Sequence, residues 1–298
     1  MTVADSTTLL ITVSMAYAMC LPLRTGLFSV APAAFASIGG YCSALLMMKS
    51  GLSFPAATLG AIAMCAVIGA LLTIPLARIT GLYTAIATLA VLVVTQGVIS
   101  SMGITGGSNG LIGIPNGDSR WLLLLIIAIS AAGWFWLDHS QTGRRVDAVG
   151  GDAILAAARG IDVARIRAIG LTLSAATAGA VGAAYAHAFF VLTPTIFGFN
   201  FAIQIAAVAV VASAGHWASP LLAGILLGLV NQLMSDYANW GLAVNGAIMV
   251  AVIVLVPSGL SGPLRHTFRG RGLRGRLTAR RNGDDSIDRE GGHAAARA

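Results

Sequence analysis

Long apolar runs, broken by short polar pieces, dominate the chain. Nine of them can be drawn, at 7–23, 27–48, 52–77, 81–102, 121–137, 168–192, 198–215, 218–235 and 240–257, and none contains Asp, Glu, Lys or Arg. A bilayer core about 30 Å thick takes ~20 residues of α-helix, with 17 to 25 tolerated. The runs are continuous rather than alternating, which excludes a membrane β-barrel. The pattern predicts an all-α, polytopic transmembrane helical bundle of about 8–9 spans. Two runs carry features of broken or re-entrant helices: Gly39-Gly40 in 27–48, and Asn200 with Gln204 in 198–215. The first run lacks the basic leader of a signal peptide, since Asp5 is the only charge before it, and it is read as a span.

One interruption is out of proportion to the rest. Residues 138–167, DHSQTGRRVDAVGGDAILAAARGIDVARIR, hold five arginines and four aspartates between two nearly uncharged halves. Within them a short apolar helix is predicted from Ala153 to Ala158, stopping at Gly160. A multi-span protein has little structural need for an ordered polar insert of this length. A cytoplasmic partner gives it one.

Charge then sets the orientation, because cytoplasmic loops carry the Lys/Arg excess. With 138–167 inside, alternation through nine spans puts Arg24, Arg78 and the 258–298 tail inside as well. Sixteen of the 18 basic residues then lie inside, against Lys49 and Arg120 outside. The expectation is N-terminus out and C-terminus in, with a transmembrane domain over 1–262 and an arginine-rich, disordered cytoplasmic tail over 263–298. The tail spells GxGxxG at Gly270, Gly272 and Gly275, but no strand precedes it, so no dinucleotide site is implied. Its arginines suit anionic lipid headgroups, and no nucleic-acid partner is expected.

What the chain lacks narrows its chemistry. It has no GxxxxGK[ST], no GxSxG, no HExxH and no Cys/His cluster, so it is not expected to be an enzyme or to hold a metal or cofactor. The three cysteines, Cys20, Cys42 and Cys65, sit in apolar runs and read as small packing residues. Proton-coupled carriers place acids or histidines in the bilayer. Here only His187 qualifies, and its place near the end of 168–192 suits packing or an interface better than a relay.

Two further patterns stand out. The stretch 103–120, GITGGSNGLIGIPNGDSR, is long for a connector and rich in residues that take positive φ. Gly106, Gly107, Asn109, Gly110, Gly113 and Pro115 are assigned to an outer docking or gating loop, with 110–115 laying an apolar tip over the membrane. In 168–192, small residues recur at Ser174, Ala178 and Gly182 and at Ala175, Gly179 and Ala183. Gly224 and Gly228 repeat the spacing in 218–235, and close helix packing explains all of these.

In order, the segments resemble the inner-membrane permease of high-affinity branched-chain amino acid ABC importers, of the LivM type. GLFSVAPAAFASIGGYCSALL (26–46), GLYTAIATLA (81–90), TGGSNGLIGIP (105–115) and the stretch from TGRRVDAVGG through SAATAGAVGAAYAH carry the likeness, over about 10–262. The chain departs from the family pattern at Ala31-Pro32, where Gly-His is common. It also departs where Gly151, Ala153 and Ala157 replace acidic positions of the coupling segment, with Asp152 one position off, and in the turn Ala212 to Pro220.

The resemblance implies a multi-pass protein of the bacterial inner membrane and a set of partners. These are two ABC ATPase subunits, which use the ATP, a second similar permease, and a periplasmic or lipid-tethered solute-binding protein. The cargo would be a branched-chain amino acid or a related small organic solute such as urea or an amide. On this reading Asp152, Ala153, Ala156, Ala157 and Gly160, flanked by Arg165 and Arg167, form the segment that meets the ATPase. Small side chains there would provide clearance, and the arginines would pair with acidic groups. The rival readings are a stand-alone channel or secondary carrier, which would work without an ATPase, and a membrane scaffold that transports nothing.

Overall fold

The computed structural model describes residues 3–76, 79, 81–212 and 216–234. The run at 240–257, Arg78, positions 213–215 and the 263–298 tail lie outside the described residues. The chain forms ten helices among the described residues: α1 (Val3–Arg24), α2 (Ala31–Ser50), α3 (Phe54–Leu76), α4 (Leu82–Ser101), α5 (Ser119–His139), α6 (Gln141–Gly151), α7 (Ala153–Ala158), α8 (Val163–Phe189), α9 (Phe199–Ala212) and α10 (Ser219–Met234). Two short strands, β1 (Leu111–Ile112) and β2 (Val191–Leu192), pair antiparallel, with Leu111 opposite Leu192. Six helices, α1 to α5 and α8, are long and apolar enough to cross a membrane.

The bundle is built around α8, which packs against α1, α2, α3 and α5. Its small residues make that possible. In the absence of a hydrophobic driving force inside lipid, helices gain most from close backbone approach and van der Waals contact. A Cβ at Gly39 would strike the backbone of Gly179, and one at Gly182 would strike the Ala36 carbonyl. On another face of α8, the Ser174 hydroxyl donates to the Ala18 carbonyl of α1 at 2.7 Å. Gly224 of α10 also packs closely, a Cβ there lying 2.8 Å from the Val13 Cα of α1.

The outer faces of α3, α4 and α5 are apolar and exposed, at Leu59, Leu71, Ile74, Val94, Leu125 and Ile129 among others. Apolar residues on all sides are what a lipid-embedded helix needs.

Gly39-Gly40 turns out to be a packing contact, not a break: α2 runs unbroken from Ala31 to Ser50. The other candidate is likewise unbroken at its polar residues: Asn200 and Gln204 fall within the continuous helix α9, Phe199–Ala212. Before it, Thr193–Gly198 is non-helical, with the Pro194 carbonyl accepting from Gln96 Nε2 at 3.1 Å and Phe197 fully buried. Irregular backbone beside membrane spans is tolerable where protein surrounds it.

The run at 168–192 starts earlier than its apolar pattern suggests. Asp162 caps α8, its Oδ1 accepting from the Arg165 N–H at 3.0 Å, so Arg165 and Arg167 fall within the helix.

The helix directions define two ends. Arg24 closes α1 beside the end of α5 and the helices α6 and α7. At the opposite end Phe54 begins α3 against His187, near the end of α8, and the 103–118 loop lies over them.

Candidate functional site

At the first end, the polar insert folds as two helices. Ser140 caps α6 by accepting from the Gly143 N–H at 3.0 Å, and Asp152 caps α7, its Oδ1 accepting from the N–H groups of Ile154 (2.9 Å) and Leu155 (3.1 Å). Asp152 therefore shapes the helix before it could meet any partner. Gly160 ends the turn at φ 76°, where a Cβ would be strained.

The expected reliance on small side chains for clearance meets a different geometry. Ala156 is 2% exposed and faces the chain's own interior, with Ala153 half-buried, while Ala157 and Gly160 are exposed. The outward surface is led by Ile154 (85% exposed) and Leu155 (51%), two residues that the alanine pattern had hidden. This makes α7 an apolar knob rather than a slim wedge. Arg165 is exposed beside it, whereas Arg167 is buried against the bundle and does not share that surface.

Beneath the knob lies a polar cluster that sequence alone did not reveal. Arg24, 6% exposed, donates from Nε to Asp147 Oδ1 of α6 at 2.9 Å, and its Nη2 lies 2.7 Å from Asp138 Oδ1 of α5. Its guanidinium carbon lies 4.8 Å from the centroid of the Trp134 ring. Asp138 Oδ2 accepts the Trp217 N–H at 3.1 Å, and the Trp217 carbonyl accepts the Tyr17 hydroxyl at 2.9 Å. Gly150 lets α6 reach this place, since a Cβ there would strike the Arg24 carbonyl. The only trace in the sequence was one arginine ending an apolar run, which charge counting had read as a topological marker.

At the other end, Gly106, Gly107, Gly110 and Gly113 all take positive φ, between 60° and 78°. A Cβ at Gly106 would strike the Gly110 carbonyl, and one at Gly110 the Leu192 carbonyl. The glycines thus fold the loop tightly onto the chain after α8. Asn109 and Ile112 stay exposed, while Leu111 and Ile114 turn inward, so only part of the expected apolar tip faces outward.

His187 holds the loop down. Its Nδ1 lies 2.9 Å from the Pro115 carbonyl and its Nε2 2.9 Å from the Ser43 hydroxyl. A carbonyl can only accept, so Nδ1 carries the proton and, in the neutral ring, Nε2 accepts from Ser43. The packing role expected of His187 is the one it fills. Tyr41 adds a second tie, its hydroxyl donating to the Leu192 carbonyl at 3.0 Å. Among the described residues, no group of three His, Cys, Asp or Glu side chains gathers as a metal site would require.

Comparisons with known proteins find relatives among membrane transport permeases. The chain is 28% identical over 271 residues to the high-affinity branched-chain amino acid transport system permease protein LivM of Escherichia coli (strain K12). That match covers 79% of this chain and 64% of the relative, so the chain spans under two thirds of that relative's length. LivM of Salmonella typhimurium is 27% identical over the same shares. The permease protein LivH of Escherichia coli (strain K12) is 24% identical over 144 residues, 48% of this chain and 46% of that one. No solved structure matches. These relatives are transport permease components, not enzymes. The family described as branched-chain amino acid transport system / permease component matches residues 2–257, and the chain, a multi-pass membrane protein, belongs to it.

Proposed function

We propose that the chain is the membrane-spanning permease subunit of a binding-protein-dependent ABC importer in the bacterial inner membrane. Its cargo is a branched-chain amino acid or a related small organic solute. Two ATPase subunits dock at α6 and α7, a second permease pairs with the apolar bundle, and a solute-binding protein delivers to the glycine-rich loop. ATP is bound and hydrolysed by the partners.

The observation that carries this reading is the outward Ile154–Leu155 knob on a capped helix, set at the arginine-rich end of the bundle. Two large apolar side chains held out from a polar loop find a use when a protein groove covers them. A channel or secondary carrier has no need of such a surface.

The same reading gives the chain nine spans, with the N-terminus out and the C-terminus in. Arg24, Arg144, Arg145, Arg159, Arg165 and Arg167 support it by lying at the α6–α7 end, against Lys49 and Arg120 at the other. The permease unit is 1–262 and the tail 263–298 an accessory to it, so truncation after Gly262 leaves uptake within a few-fold of the full chain.

The test is uptake into proteoliposomes. The chain is reconstituted with the second permease and the ATPases, supplied with the binding protein, and assayed with radiolabelled leucine, isoleucine, valine, urea and a short amide. Accumulation of one of them that needs both ATP inside and the binding protein outside is the expected result. Uptake that proceeds without the ATPase subunits overturns the importer reading in favour of a channel or carrier.

A further inference from the structure

We propose that Arg24, with Asp147 and Asp138, forms the relay through which movement of the α6–α7 loop reaches α1 and the start of α10. The inference rests on the importer reading, because it gives the loop a movement to pass on.

Connectivity shows where the relay would act. Helix α6 follows α5 directly, and α7 leads into α8, so the backbone carries loop movement to α5 and α8. Nothing covalent links the loop to α1, which packs on α5, α8, α9 and α10, or to α10 itself. The link to α1 is the Arg24 guanidinium, 123 residues away from Asp147 in sequence.

The geometry suits transmission. Arg24 holds Asp147 through Nε at 2.9 Å and more loosely through Nη2 at 3.5 Å, while Nη2 lies 2.7 Å from Asp138, so one guanidinium holds both carboxylates at once. Charge-assisted hydrogen bonds of this kind are short and directional, and the planar guanidinium fixes the angle between them.

Beyond Asp138 the bonds form a closed ring. Asp138 takes the Trp217 N–H, the Trp217 carbonyl takes the Tyr17 hydroxyl, and Tyr17 stands seven residues before Arg24 on α1. Ser219, two residues after Trp217, begins α10. Helices α1, α5 and α10 therefore meet in one ring, and Asp147 is the arm that ties it to α6. The Gly150 backbone, packed on the Arg24 carbonyl, leaves α6 no room to slide past α1. Displacement of α6 must then move Arg24 or break its bond to Asp147.

Arg24, Asp147 and Asp138 are positioning residues, acting through helices rather than on solute or nucleotide. The decisive variant is Asp147→Asn, because this side chain is the most exposed member of the cluster and its loss leaves the ring intact. In proteoliposomes of the full complex, the ATP hydrolysed per solute imported is measured for wild type, Asp147→Asn, Asp147→Glu and Arg24→Gln. Capture of the ATPase subunits is scored in parallel.

Asp147→Asn should raise the ATP cost per solute about fivefold or more while capture stays at the wild-type level. Asp147→Glu should recover most of the coupling. Arg24→Gln combined with Asp147→Asn should be no worse than Arg24→Gln alone, since Arg24→Gln already removes the pair that Asp147→Asn breaks. If Arg24→Gln does not assemble, the Asn and Glu variants decide the matter by themselves. Wild-type stoichiometry in Asp147→Asn overturns the relay, and so does loss of ATPase capture, which would place Asp147 in docking instead. A wild-type complex that imports without ATP overturns the importer reading and the relay with it, whereas an altered stoichiometry confined to the variants bears on the relay alone.

Discussion

Adding one methyl group at Gly182 should weaken the bundle, and adding one at Gly133 should not. At Gly182 the new Cβ would overlap the Ala36 carbonyl oxygen and lie 2.6 Å from its carbon and 2.8 Å from its Cα. All three atoms are backbone of α2, which is itself packed on α3 and α4, so no side chain can rotate out of the way. Ordinary contact begins near 3.4 Å and the carbonyl oxygen is the atom that sets the deficit, so α2 and α8 must part by roughly 1.5 Å. A gap of even about 0.5–1 Å forfeits a quarter to a half of the dispersion energy of each contact it opens. With the strain of overpacking, the cost reaches about 3 kcal/mol, the upper part of the usual range.

At Gly133 of α5 nothing lies within 4 Å of the added Cβ, and alanine is the better helix former by up to about 1 kcal/mol. Unfolding of the purified protein in detergent, followed by tryptophan fluorescence, should show the contrast. Gly182→Ala should melt roughly 5–10 °C lower, and Gly133→Ala at or slightly above the wild-type temperature. If the two variants melt together, the close approach of α2 and α8 does not hold the bundle, and the reading of the small-residue stripes is wrong.

Ile154→Asp and Leu155→Asp should each cut ATPase capture about 10–100-fold, since burying one such side chain contributes roughly 1.5–3 kcal/mol. Pull-down at matched membrane levels reads this, and undiminished capture of the double variant would remove the knob from the interface. His187→Ala leaves the Pro115 carbonyl and the Ser43 hydroxyl without a partner, at about 1–3 kcal/mol. Hydrogen exchange at Gly113 and Ile114 should quicken while α6 stays protected, and an unchanged loop would deny the histidine its role. Single cysteines at Asn109 and Arg145, in a background without Cys20, Cys42 and Cys65, should react with an impermeant reagent from opposite sides. Labelling from one side refutes the proposed orientation.

The bundle was legible because it is a one-dimensional signal. A run of about 20 uncharged residues becomes a membrane helix whatever surrounds it, and α1 to α5 follow their runs closely. Helix α7 was legible for a similar local reason: an apolar hexapeptide between a capping aspartate and a glycine has few other choices. The exceptions were decided by neighbours. Gly39-Gly40 carries the same symbols whether a helix breaks or another helix lies against it, and only the position of Gly179 and Gly182 separates the two. The non-helical stretch before α9 is tied down by Gln96, whose Nε2 donates to the Pro194 carbonyl 98 residues away.

Orientation within an element was harder to read than the element itself. Ala153, Ala156 and Ala157 look equivalent in sequence, yet one is half-buried, one buried and one exposed, because a six-residue helix has a single inner face. The choice of face was set by how α6 and α8 enter and leave the loop. Arg24 shows the same limit from the side of charge. Counting arginines groups it with the arginines of the 138–167 insert, and the structure has it at that end of the bundle. Its pairing with Asp147 and Asp138 needs α1, α5 and α6 to converge, and no spacing encodes that. A nearly buried guanidinium left without carboxylates would be costly, so its partners had to exist somewhere in the chain. With only 11 acidic residues in the chain, and four of them in the 138–167 insert, that insert was where to look for them.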